Sequence, residues 1–215
     1  MKVSASAAAK GTPGKPPFVR RREWGANRDN GGCHPRSDPV YGQVKAATVH
    51  HTVTANSYSE AEAPGIVLAI CRYHRNANGW NDIGYNALVD RFGNLYTGRS
   101  GGVGKAVVAA HAQGYNAQTT GISSIGDHTS SPMTAAAHDA VAHFLAWKLD
   151  RHGIPATGTI RLLSAGGSSN RFPLGARVEV KRIFRHGKTG ITACPGLALT
   201  NQMAALRAKT ARLMD

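Results

Sequence analysis

The chain has 215 residues, 41% of them apolar, enough to fill one core but with no run near the roughly 18 apolar residues that cross a bilayer, so it reads as a soluble single domain. Lys and Arg number 26 against 12 Asp and Glu, a formal net charge of +14, which draws polyanions through a salt-sensitive field. Nucleic acid is not the expected partner, because there is no helix-turn-helix signature, aromatic RNP-like strand or repeated zinc-finger spacing; the phosphates of an anionic bacterial wall remain.

Met1 to Pro17 mixes Gly, Pro, Ala, Ser and Lys without periodicity, too little to bury and order itself. Residues 1–19 are therefore expected to be a flexible basic tail and 20–215 the folded domain. Lys2 followed by Val3 to Ala9 is too short and too weakly apolar to read as a signal peptide. Trp24 is the first large apolar anchor, and Asn27 to Val40, with Asn-Gly-Gly and two prolines, reads as a loop.

Ala46 to His50 reads as a buried strand whose last side chain, His50, faces a site rather than the core. Ser57-x-x-Glu60 resembles a capping box, and with Pro64 in the first turn it predicts a helix over 61–76, closed by Asn78-Gly79. Alternation around Arg91-Phe92-Gly93 predicts a hairpin of 84–90 with 94–98, and two short strands follow at 106–110 and 121–126. Ser131-Pro132 signals a second helix, carried to Gly153 by Met133, Ala137, Val141, Phe144, Leu145 and Leu149 at three- and four-residue spacing. Weak strands at 161–164 and 178–180 flank a Gly-Gly-Ser-Ser loop. The last helix, 197–213, turns Leu199, Met203, Leu206 and Thr210 inward. The expected class is α/β: one domain in two or three layers, with a central mixed β-sheet flanked by about three main α-helices.

His186 and Cys194 lie eight positions apart, close enough for one loop to aim an imidazole and a thiolate at one cation, and His50 is the best third donor. This mixed N/S set suits zinc, and three protein ligands leave a tetrahedral ion one open position, as in catalytic sites. The rival reading is chance: ten histidines produce some pairings, and a lone Cys is often simply buried. If Cys194 is a metal thiolate, Cys33 and Cys71 are left either as a disulfide, suited to an oxidising compartment, or as two buried thiols.

Several segments recur in one order: Val49-His50-His51-Thr52, Gly79 to Asn86 (Gly-Trp-Asn-Asp-Ile-Gly-Tyr-Asn), Tyr96-Thr97-Gly98-Arg99, Ala110 to Asn116, Gly121-Ile122, Ile125-Gly126-Asp127 and Thr192 to Gly196. Together they resemble the peptidoglycan recognition protein and type 2 N-acetylmuramoyl-L-alanine amidase family, particularly its actinobacterial branch, over about residues 22–213. The resemblance implies a secreted or lysin-type enzyme, an endolysin-like antimicrobial wall hydrolase, acting as a monomer on bacterial peptidoglycan. The bond cut would be the amide between the lactyl group of N-acetylmuramic acid and the first L-alanine of the stem peptide.

It places one Zn2+ per chain on His50, His186 and Cys194, gives Tyr85 the position of the catalytic tyrosine, and sets Thr192 beside the cysteine where relatives carry Thr or Lys. His74, His111 and Asn116 match positions lining the substrate groove; Arg99 reads either as a partner for a stem-peptide carboxylate or as a solvated arginine. His51 is expected to support the site rather than ligate, and Trp80 to lie in the core. Relatives that lack the cysteine are generally binders only, and this chain keeps it. It departs from the family at Arg185-His186-Gly187-Lys188, where relatives read Gly-His-Arg-Asp. Two cations therefore stand near the metal position in place of an acidic partner, which bears on metal affinity and on a binding-only alternative.

Overall fold

The structure, a computed structural model, describes residues 12–215. These residues form a five-stranded sheet, a separate two-stranded sheet and three α-helices. The strands are β1 (Ala46–His51), β2 (Ala87–Val89), β3 (Leu95–Thr97), β4 (Thr119–Ser124), β5 (Thr159–Leu163), β6 (Arg177–Lys181) and β7 (Ile183–Arg185). The helices are α1 (Ala63–Asn76), α2 (Ala135–Asp150) and α3 (Leu197–Arg212). In the large sheet the order is β3-β2-β4-β1-β7, parallel throughout except for the β2–β3 hairpin, while β5 and β6 pair antiparallel.

Strand alternation divides the sheet between two cores. Ala87, Val89 and Leu95 pack with Val141, Phe144 and Leu145 of α2 and with Leu199 and Leu206 of α3. Leu88 and Tyr96 turn the other way, onto Val67, Leu68 and Ile70 of α1 and onto Trp24. The result is three layers, with β1 lying between β4 and β7 and buried along its whole length. A third cluster joins Ala46 and Phe184 to Leu162, Val178 and Val180 of the small sheet.

The N-terminal segment is tied down at its edge. Trp24 donates its indole N–H to the Thr97 carbonyl at 2.9 Å, and a disulfide joins Cys33 to Cys71 of α1 across 38 positions. A closed loop of that length is worth about 4 kcal/mol in the chain-entropy model. Of the tail expected at 1–19, residues 1–11 lie outside the described residues; Phe18 packs edge-on to Phe144, and Val19 bridges Tyr96.

Several element boundaries differ from expectation for local reasons. The capping box is Ser59 with Glu62, whose carboxylate accepts from both the Ser59 N–H and hydroxyl at 2.7 Å, while Glu60 turns to Asn94. Helix α2 starts at Ala135, capped by the Thr134 hydroxyl accepting from the Ala137 N–H, because the Ser131 carbonyl is taken by His128. Residues 106–110 form only the Tyr41–Val107 bridge, since the chain then turns so that the Ala110 N–H reaches Gly84. β4 begins two residues before its expected start, and β7, three residues long, was not anticipated.

Candidate metal centre and active site

His50 is the penultimate residue of β1, a strand buried along its length, and Val49 stands opposite Arg185 of the parallel β7, so the residue after β7, His186, emerges beside His50. This is the crevice beyond the carboxyl ends of parallel strands, where α/β sheets place ligands. Cys194 is returned to the same place because the Gly187 N–H donates to its carbonyl at 2.8 Å, while the Thr192 hydroxyl accepts from its N–H at 3.1 Å.

The ligand-capable atoms of His50, His186 and Cys194 all lie within 4.8 Å of one another. His50 Nδ1 is 3.7 Å from Cys194 Sγ, and the two imidazole centroids are 4.6 Å apart. Usual Zn–N and Zn–S lengths at tetrahedral angles put ligand atoms about 3.3–3.6 Å apart, so the residues fit such an ion with little rearrangement. Burial holds His50 well below the usual histidine range and brings His186 to about 4, so both imidazoles are neutral with a lone pair available. Burial pushes the Cys194 thiol up to about 12, although the His51 backbone donates toward it, so its proton leaves only when a cation takes its place.

The second nitrogen of His50 is also committed. His50 Nε2 lies 3.1 Å from Nδ1 of His111, whose own Nε2 is 3.5 Å from the Thr119 hydroxyl. With His50 Nδ1 facing the thiol, its Nε2–H donates to His111 Nδ1, and His111 carries its proton on Nε2. Asn116 fixes this partner from behind, its Oδ1 accepting from the His111 and Ala112 N–H groups at 2.9 and 2.8 Å. Both rings need a glycine opposite. A Cβ on Gly190 would stand 2.7 Å from His186 Nε2, and one on Gly121 would stand 2.4 Å from His111 Cγ.

Tyr85 lies against His50 with ring centroids 5.4 Å apart, and burial raises its phenol, which stays protonated. It closes one end of a cavity of about 690 Å3 between α1 and the segment after β1, lined by Thr52, Val53, Ile66, Ile70, Tyr73 and His74. His74 accepts from the Gly84 N–H through Nδ1 at 3.0 Å, which leaves Nε2–H as its donor; burial lowers it to about 4. Trp80 is only half buried and packs against His74, ring centroids 4.7 Å apart and planes tilted by 35°, so it braces the site rather than the core. His111 and Arg99 are enclosed, 5% and 8% exposed, and the Arg99 Nη1 has no hydrogen-bond partner among the described residues.

His51 turns away from the three donors. Its Nδ1 accepts from the His128 N–H at 3.1 Å, and His128, which sequence reasoning did not single out, bridges Ser124 and the Ser131 carbonyl. The only hint was its place directly after Ile125-Gly126-Asp127. Cys33, Cys71 and Asp82 also cluster, but the two sulfurs are bonded to each other and Asp82 is held by Arg21 at 3.1 Å.

Comparison with known proteins supports this fold. The family described as N-acetylmuramoyl-L-alanine amidase matches residues 40–197. Peptidoglycan-recognition protein SC2 of Drosophila simulans is 29% identical over 188 residues, spanning 86% of this chain and 84% of the relative. Peptidoglycan-recognition protein SA of Drosophila melanogaster is 32% identical over 145 residues, 67% of each chain. Among solved structures, peptidoglycan recognition protein-LE in complex with tracheal cytotoxin, a monomeric diaminopimelic acid-type peptidoglycan, superposes with a TM-score of 0.66 at 27% identity, covering 87% of this chain and 92% of that one. The N-acetylmuramoyl-L-alanine amidase LysC of Clostridium intestinale shares the fold, with a TM-score of 0.63 at 20% identity over 91% of this chain and 97% of that one. With that match over most of its length, and with the sheet and helices so arranged, this chain belongs to the N-acetylmuramoyl-L-alanine amidase family.

Proposed function

We propose that the protein is a zinc-dependent N-acetylmuramoyl-L-alanine amidase that hydrolyses the amide between the lactyl group of N-acetylmuramic acid and the first L-alanine of the stem peptide. It works as a monomer at the bacterial cell wall, secreted or released as a lysin, with one Zn2+ held by His50, His186 and Cys194. The observation that carries this reading is the convergence of those three donors within 4.8 Å, beside a protonated tyrosine at the end of an open groove.

Zinc bound there would supply carbonyl polarisation and a bound water of lowered pKa. The protein's own residues do the rest. Tyr85, protonated and facing the centre, donates to the oxygen that gains charge as the amide carbon becomes tetrahedral, which favours the transition state over the ground state. His111 holds His50 in the tautomer that leaves Nδ1 free, and Thr192 fixes the turn that presents the Cys194 thiol. The stem peptide occupies the groove along α1, where His74 offers its Nε2–H; Arg99, with a guanidinium nitrogen lacking a partner, supplies charge for a stem carboxylate.

A binding-only reading is favoured by one observation: among the described residues no carboxylate is paired with His186, and Arg185 and Lys188 lie on either side of it in the sequence. Mass spectrometry of muropeptides after digestion of purified sacculi separates the two. The amidase reading expects free stem peptides beginning at L-alanine, released by the zinc-loaded protein and absent with Cys194→Ala. Zinc-loaded protein that binds sacculi and releases nothing would leave only the recognition module.

A further inference from the structure

A second cavity, of about 410 Å3, lies between α3, the free edge of β7 and the end of β6. Four cations line it: Lys181, Arg185, Lys188 and Arg207, against one acid, Glu179. Among the described residues, no ion pair or side-chain hydrogen bond engages Lys181, Arg185 or Lys188, and Arg207 makes one long contact, from Nη1 to the Ile183 carbonyl at 3.4 Å. Beneath this rim the surface is apolar, formed by Ile183, Phe184 and Met203. Arg185 and Lys188 lie on either side of His186 in the sequence, and the role of the metal centre does not account for their charge.

We propose that this cavity is a binding site for a flexible phosphodiester polymer of the cell envelope, of the poly(glycerol phosphate) kind. Unneutralised cations gathered on one concavity create a field that an anion relieves, and two guanidinium forks match phosphate oxygens in a way that ammonium groups do not. The apolar floor suits the carbon backbone between phosphates. A concave pocket of this size admits a single flexible strand, whereas a duplex offers it a broad convex face. The site goes beyond the amidase reading and does not depend on it: it would hold the protein on an anionic wall whether or not the metal centre turns over.

The test compares Arg185→Gln/Lys188→Gln/Arg207→Gln with a charge-matched control, Arg22→Gln/Arg28→Gln/Arg212→Gln, whose residues are exposed elsewhere on the surface. Affinity for poly(glycerol phosphate), duplex DNA, polyglutamate and inorganic phosphate is measured by titration calorimetry at several salt concentrations. The pocket variant should lose tenfold or more for poly(glycerol phosphate), and its salt slope should fall by about two, from roughly 0.7 counterion per lost contact on a single strand. The control should lose less than threefold. Amide chemical-shift mapping on the wild-type protein should move Lys181, Phe184 and Met203, which covers the case in which the variant misfolds. Equal losses in both variants, shifts spread over the whole surface, or equal affinity for duplex DNA or polyglutamate would each overturn the proposal.

Discussion

His111 is enclosed, and it determines which nitrogen of His50 faces the thiol. Its removal should therefore be read in metal affinity before anything else. His111→Ala is expected to weaken zinc binding by about 10- to 100-fold, with partial recovery in His111→Gln, whose amide oxygen can again accept from Nε2–H. Competition with a chromophoric chelator measures this, and equal affinity in all three proteins would remove His111 from the account. Tyr85→Phe should instead keep the zinc and lose about 10²- to 10³-fold in kcat. An unchanged kcat at full zinc occupancy would assign the tyrosine to packing. At this scale the three donors that converge were legible because each sits in a contiguous motif. The glycines that admit their rings were not: Gly190 faces His186 and Gly121 faces His111 through space, and no local rule registers a contact across strands.

Elements with strong periodicity were legible, and those fixed by tertiary contacts were not. The apolar spacing of α2 gave its body, while its start moved to Ala135 because His128 claims the Ser131 carbonyl and leaves Thr134 to cap. β7 has three residues, too few for any period to show, and takes its place from pairing with β1. Helix α2 also carries Lys148, which the sequence would leave in solvent. It is fully buried, and its Nζ donates to the Val103 and Lys105 carbonyls at 2.7 Å each, pinning the segment before residue 106 to the helix. Burial lowers its pKa from 10.5 to about 7. Between those values the unfolded chain binds the proton that the folded chain sheds, so stability rises with pH there, by up to about 1.4 kcal/mol per unit. Below the folded value the burial penalty is present in full. Urea midpoints at about pH 7 to about pH 10 should climb more steeply for the wild type than for Lys148→Met. Parallel slopes would mean that the two carbonyls hold the ammonium near its ordinary pKa.

For the whole molecule a metal held by the three donors would act as a staple, since His50 belongs to β1 while His186 and Cys194 lie in the stretch between β7 and α3, on either side of most of the chain. A ligand that binds only where these segments meet stabilises the fold by about 2.7 kcal/mol at a hundredfold excess over Kd. For a chain of this length that corresponds to about 5–11 °C in Tm. The charges on the donors then fix how this responds to pH. In the metal-free centre His50 and His186 are already neutral near pH 7, and Cys194 keeps its proton because burial sets it at about 12. Zinc binding therefore releases one proton, from the thiol, and apparent affinity should rise about tenfold per pH unit through neutrality. Below about pH 4 the dependence should steepen as His186 takes up a proton and withdraws its lone pair. Calorimetric titration with zinc from about pH 6 to about pH 8 should give a slope near one, and Cys194→Ala should flatten it while abolishing the Tm shift. A slope of zero in the wild type would show that the sulfur is not a ligand. A slope of two or more would show that an imidazole is charged in the free protein, contrary to the burial that the three-layer fold imposes on the end of β1.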